Sequence, residues 1–287
     1  MTNLRKPLWL KKKIPPFKDL QKIKSILTET ELHTVCEEAR CPNLGECFSQ
    51  ETATILILGR ICTRNCGFCA VEHGGPVPPD EAEPHHVAQA IKKMGLQYVV
   101  ITSVTRDDLP DGGASQFAKT IQAIREMDRK IRIEVLVPDF KGDWNSLNRV
   151  LQGGPDVLNH NMETVRRLYV EVRPQADYER SLNLLQRSKE TYLRIRSKSG
   201  FMLGLGESRE EVLDLFQDLR GAKCDFLTIG QYLQPRANRL PVVRYIEPEE
   251  FEAYRKIGEE IGFKMVSSGP FVRSSFHASE MFDANPL

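Results

Sequence analysis

The sequence predicts an α/β fold, an open (βα)6 partial TIM barrel with N-terminal and C-terminal extensions. From residue 52 onward, apolar β-branched runs alternate with amphipathic stretches of helical period. Six βα units can be counted, which is fewer than the eight of a closed barrel. The chain has 287 residues, of which 40% are hydrophobic, and this is enough for a sizeable core.

Each predicted unit is a strand followed by a helix, so the strands should form a parallel sheet with right-handed crossovers. The strands are expected at residues 52–58, 98–102, 131–135, 157–159, 193–197 and 226–229. The helices are expected at residues 84–94, 115–128, 144–152, 165–169 with 178–190, 209–219 and 248–261. A helix at 17–28 precedes the barrel, and a short strand at 264–266 follows it.

These elements divide the chain into three parts. Residues 1–50 form an N-terminal extension, residues 51–262 form the barrel, and residues 263–287 form a C-terminal segment that closes the barrel mouth. The extension begins with a basic, proline-rich arm at residues 5–16, whose apolar side chains indicate packing on another surface.

Charge and hydropathy exclude several classes of protein. The formal net charge of +1 indicates neither a nucleic acid nor a membrane partner. The apolar runs are too short to cross a bilayer, and the first residues lack the apolar region of a secretory signal. We therefore expect a cytoplasmic protein. Six of the seven cysteines fall between residues 36 and 69, and such clustering in a reducing compartment indicates metal binding.

The first strand leads into Cys62, Cys66 and Cys69, spaced C-x₃-C-x₂-C and here called the rim triplet. Three thiolates are one fewer than a 4Fe–4S cluster usually takes from protein, so one iron would stay open to another ligand. A zinc site is the alternative, and it requires a fourth nearby ligand. His73 is the candidate, but the turn-forming sequence Gly-Gly-Pro follows it.

A second group, here called the N-terminal triplet, consists of Cys36, Cys41 and Cys47, spaced C-x₄-C-x₅-C. It also lacks an obvious local fourth ligand. The six thiolates could share one zinc site, but two separate clusters explain their number more economically.

Polar segments follow most of the predicted strands. Because the carboxyl ends of parallel strands share one edge, these segments should meet at a single rim of the barrel, where ligands bind. They are the rim triplet loop, residues 103–108, residues 160–163, Lys198 and residues 231–235.

The rim triplet, with Phe68 before its third cysteine, resembles the signature of the radical S-adenosylmethionine (SAM) enzymes. The two triplets together, in this order, resemble the lipoyl synthases over essentially the whole chain. Further matches lie at residues 5–10, 106–114, 159–165 and 269–276. Phe276 departs from the family, which usually has tyrosine there, but the preceding paired serines are kept.

The resemblance implies SAM as co-substrate and two 4Fe–4S clusters. It implies that the rim triplet holds the cluster that binds SAM, and that the N-terminal triplet holds an auxiliary cluster that donates sulfur. Ser275 would be the fourth protein ligand of the auxiliary cluster, and Arg273 would stabilise its negative charge. The implied SAM contacts are Ser103, Asn159, Asn161, Glu163, Arg173, Lys198, Gln231, Tyr232 and Leu233.

The implied reaction is that of a sulfurtransferase, which inserts sulfur at carbons 6 and 8 of a protein-bound N6-octanoyl-lysine to form the lipoyl group. The substrate would be an octanoylated lipoyl carrier domain, from a 2-oxoacid dehydrogenase E2 component or the glycine cleavage H protein. An electron donor and an iron–sulfur cluster repair protein would be further partners, and the basic arm would help to dock the carrier domain.

Two other functions remain open at this point. One is an electron-transfer protein with two clusters, which would need four thiolates for each cluster and no large α/β body. The other is a radical SAM enzyme whose auxiliary cluster relays electrons instead of donating sulfur. The origin of the product sulfur distinguishes the second alternative from sulfur insertion.

Overall fold

The computed structural model describes residues 5–11, 17–49 and 53–283. The first residue of the predicted strand 52–58 and residues 12–16 of the basic arm therefore lie outside the described part. The strands are β1 (His33–Thr34), β2 (Thr54–Ile57), β3 (Ile61–Cys62), β4 (Glu72–His73), β5 (Tyr98–Ser103), β6 (Arg132–Leu136), β7 (Val157–Asn159), β8 (Arg196–Leu203), β9 (Phe226–Gln231) and β10 (Met265–Gly269).

Helices alternate with these strands. They are α1 (Phe17–Glu29), α2 (Val35–Glu38), α3 (Leu44–Ser49), α4 (Glu83–Met94), α5 (Ala114–Met127), α6 (Trp144–Gln152), α7 (Tyr169–Val172), α8 (Tyr178–Thr191), α9 (Arg209–Gly221), α10 (Pro248–Ile261) and α11 (Ala278–Asp283). None of the described helices is long and apolar enough to span a membrane.

Within the described residues, one sheet has the order β1-β2-β5-β6-β7-β8-β9-β10. Strand β1 is antiparallel to β2, and every other neighbouring pair in this sheet is parallel. Six parallel strands are each followed by a helix before the next strand of this sheet, and β10 follows α10. The ends of the sheet do not pair with each other, so the prediction of an open six-unit barrel is confirmed.

The helix-facing side of the sheet forms the hydrophobic core. Alternate residues of the strands, such as Ile55, Ile101 and Ile133, are fully buried against α4, α5 and α6. Burying one such side chain contributes about 1.5–3 kcal/mol to stability. The other face of the strands surrounds the barrel lumen, where Glu134, Asn159 and other polar side chains lie. The core thus fixes the sheet while the lumen carries the polar groups.

The fifth barrel strand differs from the prediction. It was expected at residues 193–197, but β8 begins at Arg196 and continues to Leu203. Leu193 is 84% exposed and does not belong to the strand. The sequence Ser199-Gly200 masked the continuation, because neither residue favours strands. The helix predicted at 165–169 is present, but it begins as a 3₁₀ helix at Arg166–Leu168 and continues into α7 to Val172.

The C-terminal segment crosses the barrel lumen and links distant parts of the chain. The side-chain amide of Asn43 donates to the carbonyl oxygen of Phe271 at 2.7 Å. Further along, Ser274 bonds to Asn161 after β7, and Ser275 bonds to Thr54 in β2. We call residues 271–275 the strap, because they connect the N-terminal extension, β7 and β2.

Helix α11 continues the segment to the amino ends of the strands. The ring of Phe282 lies 6.0 Å from that of Tyr98, at the start of β5. The guanidinium of Arg196, at the start of β8, lies 4.7 Å from the Phe282 ring centroid. Phe282 thus packs at the end of the barrel opposite the rim triplet.

Candidate functional site

The rim triplet loop begins where β2 ends. Leu58 and Gly59 both adopt left-handed backbone conformations, with φ of 69° and 82°, and they turn the chain out of the sheet. The amide of Gly67 donates to the carbonyl oxygen of Val172, and Leu240 donates to Gly67 at 3.0 Å. A Cβ on Gly67 would lie 2.8 Å from the Leu240 side chain, so glycine allows this close approach. The loop is therefore held by the segments that follow β7 and β9.

The three rim thiols lie close enough to influence one another. Burial raises the pKa of Cys69 to about 12, and the neighbouring Cys66 and Cys62 raise it further. Burial also raises the pKa of Cys66, although the positive charge of Arg173 opposes the change. All three cysteines are free of disulfide bonds. Binding a metal centre therefore requires proton release from buried thiols.

The arrangement of the thiols also bears on the zinc alternative. Among the described residues, no three His, Cys, Asp or Glu side chains converge on the point that a single metal ion would occupy. A zinc ion holds its sulfur ligands about 2.3 Å from one centre. A structural zinc site also needs a fourth ligand, and the structure does not bring the described His, Cys, Asp and Glu side chains into such a group.

The N-terminal triplet lines a cavity of about 130 Å³, together with Thr54, Arg273, Ser275 and other residues. Cys36 lies on α2, Cys47 lies on α3, and Cys41 lies between them. Burial raises the pKa of Cys36 to about 12, and the nearby Cys41 adds to the effect. Hydrogen bonding from Thr54 favours the Cys36 thiolate and opposes this rise.

Ser275 reaches the same cavity from the far end of the chain. The hydroxyl of Thr54 donates to Ser275 Oγ at 2.7 Å, across a sequence separation of 221 residues. Thr54 therefore contacts both Cys36 and Ser275. The strap thus brings the Ser275 hydroxyl into the cavity that the three thiols line.

Polar side chains occupy the lumen between the two triplets. Arg173 Nη1 donates to the carbonyl oxygen of Asn161 at 2.7 Å, and Asn161 Nδ2 donates to Glu163 Oε1 at 2.9 Å. Burial raises the pKa of Glu163, against the opposing charges of Arg173 and Arg273. Burial lowers the pKa of Arg273, and its electrostatic interactions with Cys41 and Glu163 oppose this change. These four residues thus link the surroundings of the two triplets.

Two predicted SAM contacts have polar atoms that are free for a ligand. Ser103 Oγ and Asn159 Oδ1 are buried and have no hydrogen-bond partner among the described residues. Such orphaned atoms are rare in folded proteins and fit a site that receives a polar ligand. The Asn159 amide is held in place, because its Nδ2 donates to Glu134 at 2.8 Å.

The other predicted contacts are engaged within the protein. The Gln231 amide donates to the carbonyl oxygens of Leu203 and Arg244, and the Tyr232 hydroxyl donates to that of Leu240 at 2.6 Å. These bonds shape the loop after β9, and Leu233 is half-buried in it.

Lys198 was expected just after the fifth strand, and this placement is wrong because Lys198 lies within β8. Its side chain is 1% exposed, and Nζ lies 3.1 and 3.2 Å from the two carboxylate oxygens of Glu134. The lysine charge is therefore already neutralised by a buried carboxylate. The sequence offered one signal for this pair, because Glu134 interrupts the apolar run of β6.

Sequence reasoning also missed Thr54 and the residues that support the rim triplet, Arg64, Asp107 and Asp139. Arg64 is 5% exposed and bonds to Asp107 and Asp139. Asp107 lies in the segment 106–114, which resembles the corresponding segment of the family, but the sequence alone indicates no role for this residue. No local pattern could reveal these contacts, because they join residues 43 and 75 positions apart.

Comparison with known proteins decides the family. The model of the radical SAM superfamily matches residues 56–219, and the model of the N-terminal domain of lipoyl synthase matches residues 1–41. The lipoyl synthase of Caldanaerobacter subterraneus is 55% identical over 96% of both chains. The lipoyl synthase of Alkaliphilus metalliredigens is 52% identical over 99% of this chain and 98% of its own. The chain belongs to the lipoyl synthases.

Solved structures support the fold of this lipoyl synthase. Methylornithine synthase has a TM-score of 0.53 and 14% identity, covering 87% of this chain and 84% of its own. The [FeFe]-hydrogenase maturase HydG has a TM-score of 0.57 and 14% identity, covering 86% of this chain and 64% of its own. At this identity the likeness concerns the fold.

Membership of the lipoyl synthases establishes the class of reaction. The enzyme inserts sulfur by radical SAM chemistry in lipoate synthesis, and it uses SAM and two 4Fe–4S clusters. The alternatives of an electron-transfer protein and of zinc sites are therefore excluded for this lipoyl synthase.

Proposed function

We propose that the two triplets divide the reaction between them. The rim triplet holds the cluster that binds SAM, and the N-terminal triplet with Ser275 holds the cluster that gives up sulfur to the octanoyl chain. The contact of Ser275 with Thr54, in the cavity lined by Cys36, Cys41 and Cys47, is the observation that carries this proposal.

When bound, SAM on the rim cluster would supply the radical chemistry that removes hydrogen from carbons 6 and 8, and the auxiliary cluster would supply the sulfur. The protein positions and encloses these groups. Asn161, Glu163 and Arg173 form a connected polar group near Cys66, suited to the amino and carboxylate groups of methionine. Ser103 and Asn159 add the two orphaned oxygens.

Ser275 has a distinct role in the auxiliary site. An alkoxide oxygen is a harder ligand than a thiolate, and iron–sulfur clusters are normally held by soft sulfur. Protonation turns such a ligand into a neutral hydroxyl that binds iron weakly. Thr54 is placed to hydrogen-bond to that oxygen, and Arg273 lies near enough to Cys41 to offset negative charge. The site is therefore suited to a cluster that must open.

The substrate in this proposal is N6-octanoyl-lysine on a carrier domain of a 2-oxoacid dehydrogenase E2 component or of the glycine cleavage H protein. The basic arm supports carrier docking. Leu10 is buried and anchors the arm, whereas Leu8 is 76% exposed beside the exposed Arg5 and Lys6. Such a surface suits an acidic partner.

An electron donor and a cluster repair protein complete the proposed partners, because SAM cleavage needs an electron and a spent cluster must be rebuilt. We place the protein in the cytoplasm, where reduced thiols persist. The proposed division of the chain keeps residues 1–50 and 263–287 for the auxiliary site and residues 51–262 for SAM.

Two substitutions of Ser275 test the proposal. Ser275→Ala should preserve SAM cleavage to 5′-deoxyadenosine but abolish lipoyl formation, because the auxiliary cluster loses its oxygen ligand. Ser275→Cys should keep the cluster, since thiolate binds iron well, yet slow or block sulfur release. Single turnovers on an octanoylated carrier peptide, followed by mass spectrometry, measure both products.

Ser279→Ala is a matched control, because Ser279 lines the same cavity from α11. It should keep lipoyl formation near the wild-type rate. Lipoyl product from Ser275→Ala at the wild-type rate would show that Ser275 is not the ligand that matters.

A further inference from the structure

Backbone groups of the segment that follows β5 form hydrogen bonds with the rim triplet loop. The amide and hydroxyl of Thr63 both donate to the carbonyl oxygen of Thr105, at 3.0 and 2.9 Å. The Thr63 hydroxyl in turn accepts from the amide of Asp107 at 3.0 Å. One threonine side chain thus joins the two loops at two points.

The Arg64 side chain provides a second connection between the rim triplet loop and the segment that follows β5. Its Nε and Nη2 donate to the two carboxylate oxygens of Asp107, at 2.7 and 3.0 Å. Nη2 also donates to Asp139 Oδ1 at 2.6 Å. Asp139 is buried, and it accepts a further bond from Arg180 of α8 at 3.2 Å. A planar guanidinium is suited to bridge two carboxylates in this way.

The electrostatics of Asp139 agree with this geometry. Burial favours its neutral form, but the hydrogen bond and charge of Arg64 outweigh burial and hold the Asp139 pKa well below its usual range. The loops after β5 and β6 are therefore joined to the rim triplet loop through Arg64, and helix α8 is joined to it through Asp139.

Arg64 and Thr105 lie on either side of Cys62, the first cysteine of the rim triplet. Cys62 Sγ accepts hydrogen bonds from the amide of Arg64 at 3.4 Å and from the amide of Thr105 at 3.3 Å. Arg64 is fixed by its side chain, and Thr105 is fixed by Thr63. The contacts of Thr63 and Arg64 therefore determine where these two N–H groups point.

We propose that Thr63 and Arg64 are positioning residues that aim two backbone N–H donors at the Cys62 sulfur and thereby raise the reduction potential of the SAM cluster and slow its loss of iron. Hydrogen bonds to cluster sulfurs favour the more negative, reduced state. Residues behind metal ligands commonly change metal retention by about 10- to 100-fold. This inference rests on the proposed assignment of the rim triplet to the SAM cluster.

The test uses the full chain in which the N-terminal triplet is replaced by alanine, so that one cluster remains. Thr63→Val removes the hydroxyl and keeps the shape, whereas Thr63→Ser keeps the hydroxyl. A redox titration followed by electron paramagnetic resonance measures the cluster potential. Iron loss to a chelator measures retention.

Thr63→Val should make the potential more negative. The expected shift is about a tenfold fall in the reduced-to-oxidised ratio at fixed potential, equivalent to about 59 mV for one electron. It should also lose iron about tenfold faster. Thr63→Ser should restore both values to those of the parent chain. Thr120→Val is the matched control, because the Thr120 hydroxyl bonds within α5, and it should change neither value.

Arg64→Lys should shift both values in the same direction, because lysine cannot bridge Asp107 and Asp139 as a fork. Arg125→Lys is its control, since Arg125 pairs with Asp156 on another part of the barrel. If Arg64→Lys fails to fold, the Thr63 pair decides the question.

A Thr63→Val protein that holds four irons with unchanged potential and unchanged iron loss would overturn the inference and leave the cluster assignment intact. A parent chain that binds no iron through the rim triplet would overturn the assignment itself, and the inference with it.

Discussion

Gly230→Ala should separate sulfur insertion from SAM cleavage without altering any proposed ligand. Gly230 lies in β9 and faces the strap. A Cβ at this position would lie 2.1 Å from the carbonyl oxygen of Val272 and 3.0 Å from Arg273 Nη1. The φ angle of Gly230 is outside the left-handed region, so alanine is acceptable to the backbone and the contact alone decides the outcome.

The size of the effect follows from that contact. The distance of 2.1 Å is 1.3 Å shorter than the 3.4 Å at which ordinary contact begins, and the obstacle is backbone rather than a flexible side chain. Overpacking of this kind costs about 1–3 kcal/mol. Moving Val272 also displaces Ser274 and Ser275, whose bonds to Asn161 and Thr54 hold the strap in the lumen.

Denaturant unfolding measures the loss of stability, and single turnovers on an octanoylated carrier peptide measure the two reactions. A displacement of about 1 Å in a reacting group can reduce a rate about 100-fold. We therefore expect lipoyl formation to fall by about that factor while 5′-deoxyadenosine is still made. Gly221→Ala is the control, because a Cβ there meets nothing within 4 Å. Wild-type lipoyl formation in Gly230→Ala would refute the role given to the strap.

Three further predictions concern the clusters, the lumen and the carrier. Replacing either triplet by alanine should leave about four of eight irons, but only loss of the rim triplet should abolish SAM cleavage; equal behaviour would contradict the division of labour. Lys198→Met should lose about 3–5 kcal/mol in denaturant unfolding because it leaves the buried Glu134 carboxylate without its ion pair, and Glu134→Gln in the same chain should restore most of this because it removes the charge and keeps an acceptor for the Asn159 amide. Weaker SAM binding at unchanged stability would instead favour a SAM contact. Removing residues 1–13 should weaken salt-sensitive binding of whole carrier protein more than of a short octanoyl-lysine peptide; equal losses would indicate a structural role.

The barrel could be predicted from the sequence because its signals are local. Apolar runs in the strands at 98–102 and 131–135 and the amphipathic stretch at 248–261 carry their own periodicity, and the structure has elements at all three places. The strand at 193–197 was misplaced because Gly200 and its serine neighbours hide a buried strand. A Cβ at Gly200 would lie 2.3 Å from Thr228 Oγ1 of β9 and 3.2 Å from Ser274 Oγ of the strap, so crowding by the neighbouring strand and the strap selects glycine.

The candidate site was predictable only where ligands lie close together in the chain. The spacing of the cysteines identified both triplets, and the resemblance supplied Ser275. The contact from Thr54 to Ser275, the pair of Lys198 with Glu134 and the bonds of Arg64 all join residues on different strands or loops. Such contacts depend on the packed barrel, and no periodicity in one sequence encodes them.

The origin of the product sulfur tests the proposed role of the auxiliary cluster most directly. The protein is reconstituted with heavy-isotope sulfide and reacted with an octanoylated carrier peptide and SAM in medium containing unlabelled sulfide. Because a cluster that loses sulfur cannot act again, we expect about one lipoyl group or less per chain, with both sulfur atoms labelled. Sustained turnover that puts unlabelled sulfur into the lipoyl product would contradict donation from the N-terminal triplet site.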